Sequence, residues 1–287
     1  MYRKALEESS GLVLVILVTG SFFLFSASVF SFEIPESSVA HGMGNAYSVV
    51  GHENGLLKAN PATAADTHLF SIGFNTFKMN DSSKTMYVDL SAFDSTQELA
   101  GGMLYGRIFS AEDGGKSVKI DNFYFSLAEH YSEMLYFGLA AKWIKDYVRR
   151  RKGWDLDAGM MVKFSELIRF GVGFYNFLKY SNSYFPEALE FSIGSSVDDF
   201  FRGEVDWVQH LENGWKKDDT LIRVGVEFLI YNTIGLTAGW NLEGYRYNTY
   251  SGGIYWRYPR GIVSYSFSSN QKDGEVHMLT VEVYLVQ

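Results

Sequence analysis

The sequence predicts an all-β fold: a transmembrane antiparallel β-barrel of about 14 strands with an N-terminal plug segment. Three observations lead to this class. Apolar residues alternate with polar or small ones through most of the chain, the alternating segments are about ten residues long, and Tyr and Trp lie near their ends. Alternation gives each strand one apolar face, ten residues suit a tilted strand that crosses a bilayer, and aromatic side chains gather at both interfaces of membrane barrels.

Composition agrees with extended structure and excludes several other classes. The chain of 287 residues has 28 Gly, only 4 Pro and 17% aromatic residues, which favours strands with tight turns. Its net charge of −8 argues against nucleic acid as a partner. The absence of cysteine excludes a disulfide scaffold and Cys-ligated metal sites.

Residues 1–31 have the order of regions found in a secretory signal peptide. Arg3 and Lys4 precede an apolar run, and small residues follow it, so we expect cleavage after Ser28 or Ser31. The alternative is an uncleaved anchor helix, because the apolar stretch is nearly long enough to span a bilayer.

Residues 32–66 lack the alternation of a strand and are predicted to plug the barrel. A barrel of about 14 strands leaves a lumen unless something fills it, and glycines allow the backbone to pass close to the wall. The alternative is a flexible periplasmic tail. The residues expected to form the plug motif are Gly42, Gly44, Asn45, Ala46, Tyr47, Asn54, Asn60, Pro61 and Ala62.

Residues 67–287 are predicted to form the barrel. Connections after odd-numbered strands are mostly longer than those after even-numbered ones, the arrangement of barrels in the outer membrane of a Gram-negative-type bacterium, with short turns in the periplasm. A secreted β-sandwich is the alternative. We expect strands near residues 67–77, 84–93, 98–109, 119–130, 134–148, 153–164, 167–178, 187–198, 201–211, 219–230, 233–244, 248–257, 260–269 and 274–286.

Charged residues on the polar faces of these strands are expected to form a network along the lumen, where charge is tolerated better than on the lipid face. Asp155 and Asp157 could also serve as paired catalytic carboxylates. The histidines, however, lack metal-ligand spacing, and the sequence contains no nucleophile elbow and no phosphate loop. We therefore predict a protein that is not an enzyme, with no cofactor and no metal. The expected network comprises Lys142, Asp155, Asp157, Lys163, Arg169, Arg202, Glu204, Arg223 and Glu227.

A basic run, Arg149, Arg150 and Arg151, falls at the predicted outer rim. Arginine forms bidentate contacts with phosphate, so this run is a candidate contact for lipopolysaccharide. The alternative is a solvated charged loop.

The segment "GMGNAYSVVGHENGLLKANPATAA" resembles the N-terminal pattern of the long-chain fatty-acid transporter (FadL-like) superfamily of outer-membrane barrels. The ordered set "YFGLAAKWIKDY", "WDLDAGMMVKF", "IRVGVEFLIYNTIGLTAGWN" and "YSGGIYWRY" is similar to its PorV/PorQ-type members. The resemblance implies a 14-stranded barrel with an N-terminal plug. It also implies a function, which is binding or passive transport of small hydrophobic molecules. The alternative is an accessory role in a protein-secretion and surface-attachment system. A structural role in the outer membrane is a third possibility.

The expected location and the resemblance also predict the partners of the protein and a role for one pair of glycines. The expected partners are outer-membrane lipid and lipopolysaccharide, with a hydrophobic small molecule or a secreted protein as cargo. Gly101 and Gly102 are adjacent in the third strand, where the fatty-acid transporters have a kink, and paired glycines often mark a bulge. We therefore predict a lateral opening there; the alternative is that these glycines make room for the plug.

Overall fold

The alternating segments form a closed antiparallel barrel of 14 strands in the computed structural model, which describes residues 34, 36–80, 84–111, 117–178, 185–197, 200–211, 220–244, 247–270 and 274–286. Each strand pairs with the next along the chain, and β1 closes the barrel on β14. The predicted fold class is confirmed. The predicted signal peptide, residues 1–31, lies outside the described residues.

The strand bounds follow the prediction to within a few residues at most ends. They are β1 (Phe70–Met79), β2 (Met86–Asp94), β3 (Leu99–Ala111), β4 (Ser117–Ser132), β5 (Leu135–Asp146), β6 (Arg151–Lys163), β7 (Ile168–Tyr175), β8 (Ala188–Val197), β9 (Phe201–His210), β10 (Thr220–Ile230), β11 (Ile234–Glu243), β12 (Tyr247–Tyr258), β13 (Gly261–Asn270) and β14 (Gly274–Val286).

Burial alternates along the strands as the sequence pattern predicts. On β5, Tyr136 and Lys142 point inward and are 7% and 3% exposed, whereas Phe137 and Leu139 point outward and are 45% and 64% exposed. Successive side chains of a strand lie on opposite faces. The outer surface of the barrel is therefore largely apolar, and the inner surface carries most of the polar side chains of the wall.

The strand β7 is the main exception to the predicted bounds. It was expected to reach residue 178 but ends at Tyr175. Asn176 follows with a φ of 56°, in the left-handed region, which asparagine tolerates better than most residues. The chain therefore leaves the sheet there, and this end of β6 has no strand partner on that side.

The residues before β1 form a compact N-terminal segment, residues 36–66. It contains one short helix, α1 (Ser38–Gly42), and two 3₁₀ helices, η1 (Asn54–Leu57) and η2 (Pro61–Asp66). Nearly all of its residues are buried. The helix α1 contacts β11 to β14, and η2 contacts β3 to β6, on the other side of the barrel. The segment thus lies within the closed wall. No helix in the described part of the chain is long and apolar enough to cross a membrane.

Candidate functional site: the lumen and its N-terminal segment

Asn60 and Pro61 fasten the segment to the wall. The side-chain oxygen of Asn60 accepts from the backbone N of Ala62 (3.1 Å) and so caps η2, with Pro61 at the first helical position. The amide nitrogen of Asn60 donates to the carbonyl oxygens of Met160 (3.1 Å) and Val172 (3.4 Å). These carbonyls belong to β6 and β7, so one side chain ties the helix to both strands.

The predicted Gly-Asn turn lies against β11. Gly44 and Asn45 have φ values of 69° and 60°, in the left-handed region. A Cβ at Gly44 would also overlap the side chain of Asn241. Conversely, a Cβ at Gly239 of the wall would overlap the backbone of Met43 and Gly44. Glycine on both sides lets the two backbones approach closely.

The Tyr47 hydroxyl closes a turn of the segment, and this turn lies beside charged side chains of the wall. Its hydroxyl accepts from the backbone N of His52 (3.0 Å), and the His52 ring lies 3.8 Å from Glu227. Arg202 donates to Glu227 at 2.8 Å, and Tyr255 also donates to it. The predicted network residues Arg202 and Glu227 are therefore paired, opposite each other on β9 and β10.

Two carboxylates of the wall accept hydrogen bonds from the segment. Glu204 accepts from the backbone N–H groups of residues 49–50 at 3.0 to 3.1 Å. Glu190 accepts from the Ser48 hydroxyl and from Arg223 (3.0 Å). Charge-assisted bonds of this kind are stronger than neutral ones, so the carboxylates hold this turn in place.

Glu53 is buried where the segment meets β14. It accepts from the Ser37 hydroxyl, and the neighbouring Asn54 donates its backbone N–H to Glu282 at 3.1 Å. Burial and the nearby Glu282 carboxylate together raise the pKa of Glu53 to about 8. This end of the segment therefore docks best when Glu53 carries its proton.

Lys142 and the predicted carboxylate pair stabilise the end of β7. Lys142 lies 2.6 Å from Asp157 and donates to Asn176 (2.7 Å). Asp157 accepts from the backbone N of Asn176 (2.8 Å), and Asp155 from that of Leu178 (2.9 Å). The two aspartates thus bind the chain that follows β7, in place of a strand partner.

The β6–β7 seam, as we call the boundary between these strands, has the shortest ladder among the described strand pairs. It joins Ala158–Lys163 to Arg169–Phe174, six pairs in all. Every other described pair of strands is longer.

Lys163 and Arg169 do not join these aspartates in the expected network. Lys163 lies 3.2 Å and Arg169 lies 2.9 Å from Asp66, the last residue of η2. Tyr136 donates to the same carboxylate at 3.1 Å. Both cations lie near the rim with the short turns, where η2 ends, whereas Asp155 lies toward the other rim. The charged residues therefore form separate groups, most of them fastened to the segment, and not one continuous network.

The lateral opening predicted at Gly101 and Gly102 is also wrong. The β2–β3 ladder runs without a break through Asp94–Gly101 and Phe93–Gly102, and the β3–β4 ladder continues past both glycines. A Cβ at Gly102 would lie against the side chain of Leu57. Gly102 makes room for the segment, which is the alternative stated above.

Sequence reasoning missed several residues of the site. Glu190 and Glu282 lie on inward positions of alternating strands, so their parity could have revealed them. Asp66 and the buried pair of Lys58 with Asp89 (3.1 Å) could not be found that way, because each depends on the path of the segment.

A cavity of about 80 Å³ lies between the start of the segment and the wall, near the rim with the longer connections. Burial, with a smaller effect from Glu190, raises the pKa of Glu36 well above its usual range, which favours its neutral form. Three cations line the cavity and are paired: Lys58 with Asp89, Lys142 with Asp157, and Arg223 with Glu190. The remaining lining residues are Ile34, Tyr124, Tyr175, Asn176, Phe185, Pro186, Ala188, Glu190 and Val208.

The basic run lies where it was predicted, at the connection between β5 and β6. Asp146 accepts from the backbone N of Arg149 (2.9 Å), and Arg150 has a φ of 51°. Arg149, Arg150 and Arg151 are all exposed. Their contact with lipopolysaccharide stays a prediction.

Solved structures of a hydrocarbon channel, a toluene transporter and a FadL homologue have a similar architecture. The CymD monoaromatic hydrocarbon channel superposes with a TM-score of 0.61 at 12% identity, over 86% of this chain and 96% of that one. The toluene transporter TodX of Pseudomonas putida gives 0.63 at 11% identity, over 90% and 99%. A Pseudomonas aeruginosa FadL homologue gives 0.60 at 8%, over 91% and 99%. No family model and no curated protein matches the sequence. The resemblance to FadL-type barrels is thus confirmed at the level of the fold.

Proposed function

We propose that this protein binds small hydrophobic molecules and passes them across the outer membrane without an energy source. The observation that carries the proposal is a barrel whose lumen is occupied by a buried segment with a cavity beside it. A wide open barrel would form an aqueous channel, whereas here a solute has to pass the segment. Channels for monoaromatic hydrocarbons and toluene share this fold, which supports hydrophobic molecules as the substrate class.

The outer face supports a location in the outer membrane of a Gram-negative-type bacterium. Leu139, Ile193 and Leu236 are among the apolar side chains that point away from the lumen and are 42% to 64% exposed. Such a surface is costly in water and favourable in lipid. The proposed organisation is a signal peptide at residues 1–31, a plug at residues 32–66 and the barrel at residues 67–287.

The size of the cavity indicates that the segment or its neighbours move during transport. Its volume is about 80 Å³, whereas an apolar cavity of about 150 Å³ holds benzene. A monoaromatic molecule therefore needs a shift of the lining, and the start of the segment at Ile34 and Glu36 is one wall of the cavity.

A role other than catalysis accounts for the carboxylates. Asp157 forms an ion pair with Lys142 and accepts from the chain after β7. Asp155 accepts from Leu178 in the same connection. These contacts explain both aspartates as structural groups, so the proposal assigns no reaction and no cofactor.

Uptake by whole cells tests the proposal, because the lipopolysaccharide leaflet is the barrier that hydrophobic molecules meet. Cells that lack the gene should take up radiolabelled toluene more slowly than complemented cells. Ala188→Phe, which fills the cavity, should lower uptake several-fold, while Ala141→Phe, the same change on the outer face, should not. Equal uptake with and without the protein would contradict the proposal.

A PorV-like accessory role in protein secretion and surface attachment is the second candidate. The small volume of the cavity, about 80 Å³, agrees with this role, since an accessory barrel needs no passage. In that case deletion would deplete surface-attached proteins from the cell and leave toluene uptake unchanged. A purely structural role, the third candidate, predicts that deletion affects neither.

A further inference from the structure

Charged residues form a row across four neighbouring strands on the outer face of the barrel. Arg107 of β3 lies opposite Asp121 of β4, Asp121 opposite Lys145 of β5, and Lys145 opposite Lys152 of β6. Residues directly opposite each other in a ladder share a face. This face is the outer one, because the neighbours of these residues along each strand, such as Ile108 and Ile144, are buried in the barrel.

An aromatic row lies directly beneath the charged row. It consists of Tyr105, Phe123, Trp143 and Trp154, which are paired in register across the same strands. The next row down contains Met103, Phe125, Ala141 and Leu156 and is apolar. This order of apolar, aromatic and charged rows is the profile of a membrane interface. The charged row therefore lies at the level of lipid headgroups.

Among the residues that the structure describes, cations outnumber anions in this row and at the rim above it. Two of these cations contact the ring of Tyr147. The ammonium groups of Lys119 and Lys145 lie 4.8 and 4.2 Å from the ring centre. The Tyr147 hydroxyl donates to Asp121 (2.8 Å), which also binds Arg107 at 2.5 Å. Asp121 is thus already engaged, and the lysines depend on a weak attraction to an aromatic ring.

Lys145 and Lys152 place two positive charges side by side on the outer face. They are directly opposite each other in the β5–β6 ladder, and like charges in that position are destabilising. Arg149, Arg150 and Arg151 follow immediately at the rim and are exposed. An anion with more than one charge, placed between the lysines and the arginines, would offset this repulsion.

We propose that this surface, the β3–β6 basic patch, binds the phosphate groups of lipopolysaccharide in the outer leaflet. The patch comprises Arg107, Lys119, Lys145, Arg149, Arg150, Arg151 and Lys152. It lies at the rim with the longer connections, which faces the outside in such barrels. The acyl chains of the lipid pack against the aromatic and apolar rows, and its phosphates contact the lysine and arginine side chains. The inference rests on the proposed location but not on transport.

Binding of defined lipids to the purified full-length protein in detergent, followed by native mass spectrometry, tests the site. The probes are diphosphorylated lipid A, the same lipid without phosphates, and phosphatidylglycerol. Lys145→Ala/Lys152→Ala should weaken lipid A binding at least tenfold. The control Lys84→Ala/Arg260→Ala removes the same charge at exposed positions outside the patch and should leave binding unchanged.

Three results would overturn the proposal. An equal loss in the control variant would indicate unspecific attraction by net charge. Equal binding of dephosphorylated lipid A would remove phosphate as the recognised group. Equal binding of phosphatidylglycerol would replace lipopolysaccharide by anionic lipid in general. Folding of each variant is checked by the shift in gel mobility on heating, and the readout is independent of toluene uptake.

Discussion

Asn60 joins three parts of the molecule through one side chain, because its amide caps η2 and binds carbonyls of β6 and β7. Replacement by alanine removes these three hydrogen bonds, each of which contributes about 0.5–1.5 kcal/mol. We expect Asn60→Ala to speed proteolysis of residues 36–66 while the barrel stays folded. Asn80→Ala, the same change at an exposed position after β1, is the control. Unchanged protease resistance in Asn60→Ala would contradict the anchoring role.

Adding a single methyl group at Gly239 tests whether the backbones of the wall and the N-terminal segment are closely packed. A Cβ there would overlap the backbone at Met43 and Gly44, whereas a Cβ at Gly252 would meet only the Thr237 oxygen at an ordinary contact distance of 3.6 Å. Gly239→Ala should destabilise docking of the segment by about 1–3 kcal/mol, and Gly252→Ala should not. Protease protection of the segment measures the difference, and equal protection in both variants would show that the backbones are not in contact.

At the scale of elements, docking of the N-terminal segment should depend on pH. The pKa of Glu53 in the folded protein is about 8, above its ordinary value of 4.5, because of burial and Glu282. Glu227 also raises it, while Ser37 and Arg257 lower it. A raised pKa adds stability that is complete below pH 4.5 and is lost as the pH rises through 8. The slope is at most about 1.4 kcal/mol per pH unit for this one proton.

Hydrogen exchange of residues 36–66, corrected for intrinsic rates, should therefore show weaker protection at pH 9 than at pH 5. Glu53→Gln should reduce this difference, whereas Glu133→Gln, at an exposed turn, should not. Stronger protection at pH 9 than at pH 5 would reverse the predicted sign and contradict this role of Glu53.

The local stability of the β6–β7 seam can also be tested. Asp157 and Asp155 take the place of a strand partner after Tyr175. Asp157→Ala leaves Lys142 without its carboxylate in a buried site, a change that costs about 3–5 kcal/mol. Amide exchange of residues 174–178 should accelerate at least tenfold, with no change in β1. Asp94→Ala is the matched control, and an unchanged rate in Asp157→Ala would contradict this role of the aspartate.

For the whole molecule, the sequence predicted the barrel and most strand ends, because alternation and turn residues are local signals. It did not predict the end of β7, which depends on Asn176 adopting a left-handed φ beside Asp157. Nor did it predict the partners of Lys163 and Arg169, since Asp66 reaches them only through the path of the segment. Gly102 was misassigned for the same reason: a glycine that makes room for Leu57 is indistinguishable in sequence from one that breaks a ladder.

If small hydrophobic molecules pass through the lumen as proposed, the N-terminal segment has to move. Ser38 of α1 and Ser264 of β13 are hydrogen-bonded through their hydroxyls, and the chain has no cysteine. Ser38→Cys/Ser264→Cys can therefore form a reversible tether between the segment and the wall, of the short span that a disulfide requires.

The most direct measurement is toluene uptake by cells that carry this double variant, with the tether oxidised and then reduced. The account predicts slow uptake in the oxidised state, recovery on reduction, and unchanged uptake in each single-cysteine variant. Uptake at the wild-type rate with the tether fully formed would contradict it.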